Sequence, residues 1–149
     1  MQKLVMKIGN EAMKILLPSP LHSLVSRNTL LITMTGCKTG REYSLPVNYV
    51  QDGSTLYIMS KRCRTWWRNL RGGKSVRVWL RGQQVKGQAT TDEVYITVVE
   101  DLKRFFQKRP DTTRYFGVRL EPDDQPNMQD IVRLAQERVL VKVSLNRKN

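Results

Sequence analysis

The stretch Thr35-Gly36-Cys37-Lys38-Thr39-Gly40-Arg41 packs the chemistry of an anion cradle into seven consecutive residues. Two glycines allow a tight turn with exposed N–H groups, and Lys38 and Arg41 add fixed positive charge. An apolar run, Leu30-Leu31-Ile32-Thr33-Met34, enters the turn, and Tyr43-Ser44-Leu45-Pro46-Val47-Asn48-Tyr49-Val50 leaves it. The plainer reading is an ordinary hairpin connection with two exposed cations.

A second group is Trp66-Trp67-Arg68-Asn69-Leu70. On a helix, Trp66 shares a face with Asn69 and Leu70 while Trp67 points elsewhere. One tryptophan then anchors the helix in the core while Asn69 offers its amide to a ring system. The alternative is that both aromatics are core.

Other chemistries lack material. His22 is the single histidine, so a Ser-His-Asp triad or a multi-histidine metal site has little to draw on. Gly36 to Gly40 is too short for a P-loop and lacks its Gly-Lys-Ser/Thr ending. Carboxylates are scarce in the first half, which weakens glycosidase and metal-phosphoesterase readings. Cys37 and Cys63 form no CxxC pair, so a disulfide scaffold or zinc site is not expected. An enzyme built this way needs a cofactor as its reactive centre.

The charge is unevenly spread, and its plainer reading is a solvated basic face with no dedicated partner. The net charge is +13, and from Gly53 to Thr91 there is no Asp or Glu. Lys61, Arg62, Arg64, Arg68, Arg71, Lys74, Arg77, Arg81 and Lys86 all fall in that block. Such a block attracts polyanions, whether nucleic acid, an acidic membrane surface or a phosphorylated and carboxylated cofactor. No apolar run approaches a membrane span, and no signal peptide is visible, so a cytoplasmic setting is expected.

The elements that position these groups are legible from periodicity. Met1 to Leu17 has the spacing of an amphipathic helix, ended by Pro18 and Pro20. Strands are expected over Leu30–Thr35, Ser44–Val50 and Thr55–Met59, with Asp52-Gly53 turning the last two into a hairpin. Thr65–Leu70 reads as a short helix capped by Thr65 and stopped by Gly72-Gly73. A second hairpin joins Ser75–Leu80 to Gln84–Thr91 across Arg81-Gly82-Gln83. Helices follow over Val94–Lys108 and Met128–Arg138, then a strand over Val139–Val143, with Asp111–Gly117 left open. The order predicts one domain over 1–149, mainly β with flanking helices (α+β). Within it 1–17 is the N-terminal helix, 28–91 the barrel core and 92–149 the helices and closing strand.

The ordered set of motifs resembles the deazaflavin-dependent nitroreductase and quinone reductase family of the flavin/deazaflavin oxidoreductases. The resemblance rests on Met34-Thr35-Gly36-Cys37-Lys38-Thr39-Gly40, Pro46, Asp52-Gly53, Met59-Ser60-Lys61 and Trp66-Trp67-Arg68-Asn69-Leu70, and covers about Leu30 to Ala89. It implies a split β-barrel of the flavin-reductase and pyridoxamine-phosphate-oxidase type. It implies a cofactor phosphate site at Lys38, Thr39 and Gly40, with Arg41 near it. Ser44, Leu45, Pro46 and Val47 would run beside the ring, with Met59, Ser60 and Lys61 across the pocket and Trp66, Trp67 and Asn69 closing a wall. The implied cofactor is the deazaflavin coenzyme F-420, with its phosphodiester and oligoglutamate tail; FMN is the alternative. Ser60, Asn48 and Tyr115 are the candidates for contacting the hydride acceptor.

The expected activity is hydride transfer from reduced deazaflavin to a quinone, a nitro compound or an activated alkene. The expected partner is this small-molecule acceptor, with a homodimer and peripheral contact with the inner membrane face compatible with it. The competing reading is a basic β-barrel that binds nucleic acid without enzymatic activity, stacking bases on Trp66, Trp67, Trp79 and Tyr57.

Overall fold

The computed structural model describes residues 29–146, so the expected helix over Met1–Leu17 and His22 lie outside the described residues. Seven strands form one sheet in the order β2-β1-β5-β6-β7-β4-β3. They are β1 (Thr29–Thr35), β2 (Glu42–Asn48), β3 (Val50–Asp52), β4 (Thr55–Lys61), β5 (Lys74–Leu80), β6 (Gln83–Asp92) and β7 (Arg138–Leu145). Between them lie 3-10 helices at Trp66–Leu70 and Pro110–Phe116, and the α-helices α1 (Tyr95–Lys108) and α2 (Met128–Glu137). Secondary structure is thus mainly β, with one more strand in the first half than its apolar runs suggest.

The expected strand Ser44–Val50 is divided at Tyr49. Its first part pairs antiparallel with β1 and its continuation, β3, pairs antiparallel with β4. These two segments occupy opposite ends of the strand order, so the chain must break between them. Pro46 fits this arrangement because β2 is an edge strand, where a missing N–H costs least.

Both hairpins close through two-residue turns. Asp52 pairs with Thr55 across Gly53-Ser54, and Gly53 takes a φ of 60°. Leu80 pairs with Gln83 across Arg81-Gly82, whose φ values are 49° and 77°. Positive φ at both Arg81 and Gly82 matches the right-handed twist of the flanking strands. The turn therefore contains only two residues, and Gln83 belongs to β6.

The backbone divides into two compact units: residues 29–59, 65–91 and 141–146, and residues 60–64 with 92–140. In the first, alternation directs Leu30, Ile32 and Met34 of β1 and Val76 and Val78 of β5 into the core, all nearly fully buried. Gly87 of β6 is required there by a close approach. A Cβ at this position would lie 2.8 Å from the Ser144 carbonyl oxygen and 2.9 Å from Val143 Cγ1.

In the second unit, Val98, Leu102, Phe105 and Phe106 form the buried stripe of α1. Phe106 meets Phe105 edge-on at 5.2 Å between ring centroids and Phe116 at 5.9 Å. Asn127 caps α2 by accepting from the Asp130 N–H at 3.0 Å. Arg138, expected to end that helix, instead begins β7 with extended dihedrals. Asp111–Gly117 resolves into the second 3-10 helix, with Gly117 in the left-handed conformation behind it.

Asp130 anchors this unit electrostatically. Its buried carboxylate accepts from the Arg119 backbone N–H and Nε, both at 2.9 Å, and from Arg133 Nη2 at 2.9 Å. The Arg119 side chain first, then its backbone N–H, hold the carboxyl down at about 2.

Two measurements check these packing arguments. Gly87→Ala forces the β7 backbone to shift and should lower unfolding free energy by about 1–3 kcal/mol in chemical denaturation. Because the Asp130 pKa is lower folded than unfolded, its stabilisation is complete above the unfolded value of 3.8 and is lost as pH falls through about 2. Asp130→Asn should therefore be less stable than the parent at pH 7, and the two denaturation curves should converge toward pH 2.

Candidate functional site

The turn between β1 and β2 is built largely from its own hydrogen bonds. Gly36 N–H donates to Arg41 O at 2.8 Å and Gly40 N–H to Gly36 O at 2.9 Å. Arg41 N–H donates to Thr39 Oγ1 at 3.3 Å, and Cys37 N–H to Asn69 Oδ1 at 2.9 Å. The open cradle expected from the glycines is thus narrower, because three of its N–H groups hold the turn itself together and a fourth is committed to Asn69. Among the described residues, the N–H groups of Lys38 and Thr39 have no acceptor, and the Lys38 and Arg41 side chains form no ion pair.

Gly40, at φ 68°, lets the chain reverse at the tip. A side chain at Gly36 would crowd Thr39 Oγ1 at 3.2 Å. The nearest carboxylate in sequence, Glu42, is paired with Arg77. The tip therefore offers two cations, two N–H groups and the Thr39 hydroxyl, with no acid within the turn. This donor set fits an anionic group such as a phosphodiester.

Asn69 has a different role from the one its position suggests. Its Oδ1 accepts from Cys37 N–H, while Nδ2 donates to Trp66 O at 2.9 Å and to the Tyr43 hydroxyl oxygen. Both amide protons are spent, so Asn69 ties the turn, β2 and the first 3-10 helix together and has no proton left for a ring system. Thr65 makes no side-chain cap to that helix, contrary to expectation; Arg68 N–H bonds the Thr65 carbonyl instead. Trp66 and Trp67 are both buried, so of the two readings the structure favours the one in which both aromatics are core. Trp67 lies under the Arg68 and Arg71 guanidiniums, 5.6 and 5.1 Å from its centroid. Burial removes both rings as base-stacking platforms and leaves the nucleic-acid reading without its main support.

Tyr43 is the residue that the motif reading missed. It sits opposite Met34 in the β1–β2 register, so it shares a face with Leu45 and Val47 above Leu30 and Ile32. The signal was available in the two-residue period counted back from Leu45. Burial, then the nearby Cys37, raises the phenol pKa, and the Asn69 hydrogen bond works the other way. The hydroxyl is protonated at neutral pH.

The remaining expected residues separate by strand alternation. Ser44, Pro46 and Asn48 point to the face opposite Tyr43, Leu45 and Val47, so the strand cannot present all of them to one ligand. The hydroxyls of Ser44 and Thr33 hydrogen-bond at 2.6 Å, and Asn48 Oδ1 accepts from Thr29 at 3.1 Å.

Ser60, Lys61 and Tyr115 belong to the second unit. Ser60 is buried on the face of Leu56 and Ile58, opposite Met59 and Lys61, and its hydroxyl donates to Lys61 O at 3.2 Å. Tyr115 is 68% exposed, with the Arg114 guanidinium 5.1 Å from its ring centroid. Among the described residues no cluster of His, Cys, Asp or Glu could hold a metal ion. No described helix is long and apolar enough to cross a membrane.

Comparison with known proteins shows the fold and the family. No curated protein matches the chain. A Listeria innocua protein provisionally named a pyridoxamine 5′-phosphate oxidase superposes with a TM-score of 0.52 at 15% identity, over 85% of this chain and 90% of that one. A domain-swapped dimer superposes with a TM-score of 0.55 at 13% identity, over 89% of this chain and 93% of its own. Both share the fold, which is the split β-barrel type of the pyridoxamine-phosphate-oxidase-like proteins. Residues 20–121, more than half the chain and including every motif from the glycine turn to the tryptophan pair, match one family of coenzyme F-420-dependent oxidoreductases. The chain belongs to the F420H(2)-dependent quinone reductase family.

Proposed function

We propose that this reductase delivers a hydride to a quinone and that the Gly36–Arg41 turn holds the phosphodiester of coenzyme F-420. The observation that carries the reading is the donor-only tip of the turn, within a chain whose family is defined by this cofactor. Nitro compounds and activated alkenes are further acceptors of the same chemistry. Reduced coenzyme F-420 supplies the hydride, and with one proton from solvent a quinone becomes a hydroquinone.

The chain's own part is binding and orientation. Lys38 and Arg41 supply point and planar charge respectively, and the Lys38 and Thr39 N–H groups add directional donors. Gly36 keeps the approach clear of a side chain. Beyond the turn, the acid-free block from Gly53 to Thr91 draws in an oligoglutamate tail by long-range attraction. Some of its arginines have structural duties: Arg77 pairs with Glu42 and Arg81 donates to Gln51. Lys74 and Lys86 form no ion pair among the described residues and are left for steering.

A fluorescence titration with oxidised coenzyme F-420 is the direct test, and no binding at micromolar concentration sinks the proposal. Lys38→Ala and Arg41→Ala should each weaken binding about three- to tenfold, with the loss shrinking as salt is raised. Turnover of a soluble quinone with the reduced coenzyme then tests the acceptor. The fold shared with a domain-swapped dimer supports a homodimer for this chain; sedimentation as a single 17.3 kDa species overturns that assembly.

A further inference from the structure

We propose that the Tyr43 hydroxyl donates a hydrogen bond to the anionic oxygen held at the Lys38–Arg41 turn, and that Asn69 is the positioning residue that aims it. The inference rests on the phosphodiester reading of the turn and adds to it a neutral donor from the neighbouring strand.

The argument follows proton by proton. Asn69 Oδ1 is committed to the Cys37 N–H, which fixes the orientation of the amide. Its Nδ2 must then face Tyr43 and Trp66 as a donor. A phenol oxygen that accepts from Nδ2 cannot also donate to that nitrogen, so the hydroxyl proton is turned elsewhere. Among the described residues it meets no acceptor.

The ring carrying this proton lies against the turn. A Cβ built at Gly36 would stand 3.6 Å from Tyr43 Cε1 and 3.2 Å from Thr39 Oγ1, so the turn backbone, the phenol and the Thr39 hydroxyl are immediate neighbours. Partial burial favours the neutral phenol, keeping a donor there at physiological pH. The Lys38 ammonium attracts an anion without selecting its geometry. A phenol held by a saturated amide selects geometry, because its proton has one sector left to point into.

The test compares two ligands. One is coenzyme F-420; the other is the same deazaflavin chromophore and ribityl chain without phosphate. Dissociation constants are measured by fluorescence for the parent, Tyr43→Phe and Lys38→Ala, with thermal midpoints recorded alongside.

Tyr43→Phe keeps the ring and should weaken coenzyme F-420 about tenfold while leaving the phosphate-free ligand within about twofold. Equal weakening of both ligands overturns the inference, since the hydroxyl then serves the ring system or the fold. Unchanged affinity in Tyr43→Phe with weakened affinity in Lys38→Ala also overturns it, and leaves the phosphodiester reading standing. No change in either variant removes both.

Asn69→Asp supplies the second arm. The new carboxylate still accepts from Cys37 N–H but now also takes the Tyr43 proton. Adding Tyr43→Phe to Asn69→Asp should therefore cause no further loss of coenzyme affinity; additive losses overturn the positioning role.

Discussion

One carboxamide governs how the turn, the edge strand and the first 3-10 helix are held. Asn69 spends its carbonyl oxygen on the Cys37 N–H and its two protons on Tyr43 and Trp66. Neither a carboxylate nor an apolar side chain reproduces this set, because it needs one acceptor and two donors on a single planar group. The turn and β2 are contiguous in sequence, and the 3-10 helix that carries Asn69 comes after β3 and β4. The turn's internal hydrogen bonds supply its shape, and Asn69 supplies its orientation.

Positive charge in this chain divides between structure and recognition. Arg62 donates from Nε at 3.2 Å and Nη2 at 3.0 Å to Ala135 O, and its N–H meets Glu137 O at 3.0 Å, so it satisfies the carboxyl end of α2. Arg119 and Arg133 neutralise Asp130, and Arg77 meets Glu42. Lys38 and Arg41 have no such duty among the described residues. A net charge of +13 therefore overstates the charge available to a ligand, and the local distribution decides where an anion settles.

Local chemistry made both hairpins legible. Gly53 and Gly82 are the residue type that adopts positive φ, and the flanking runs alternate cleanly. The stripe Val98, Leu102, Phe105 and Phe106 identified α1 for the same reason. Strand order was not legible, because pairing between segments far apart in sequence leaves no local pattern. That is why the break at Tyr49 was missed. Composition identifies the glycine turn but does not show that three of its N–H groups close the turn and a fourth meets Asn69. The expectation that Asn69 offers its amide to a ring system fails because two of its three partners, Cys37 and Tyr43, lie far from it in sequence. Tyr43 went unnoticed as a donor because its free proton follows only from how Asn69 is oriented.

The placement of β7 has a consequence for how the chain reaches this state. It lies between β6 and β4, although it follows both of them by the length of two helices. Until it arrives, β4 and β6 each present an unpaired edge, and the apolar faces meant for Val141 and Val143 are bare. During synthesis the sheet must wait half-built while α1 and α2 emerge. Its late central strand makes that interval the period of greatest exposure to edge-to-edge aggregation, when a chaperone has most to shield.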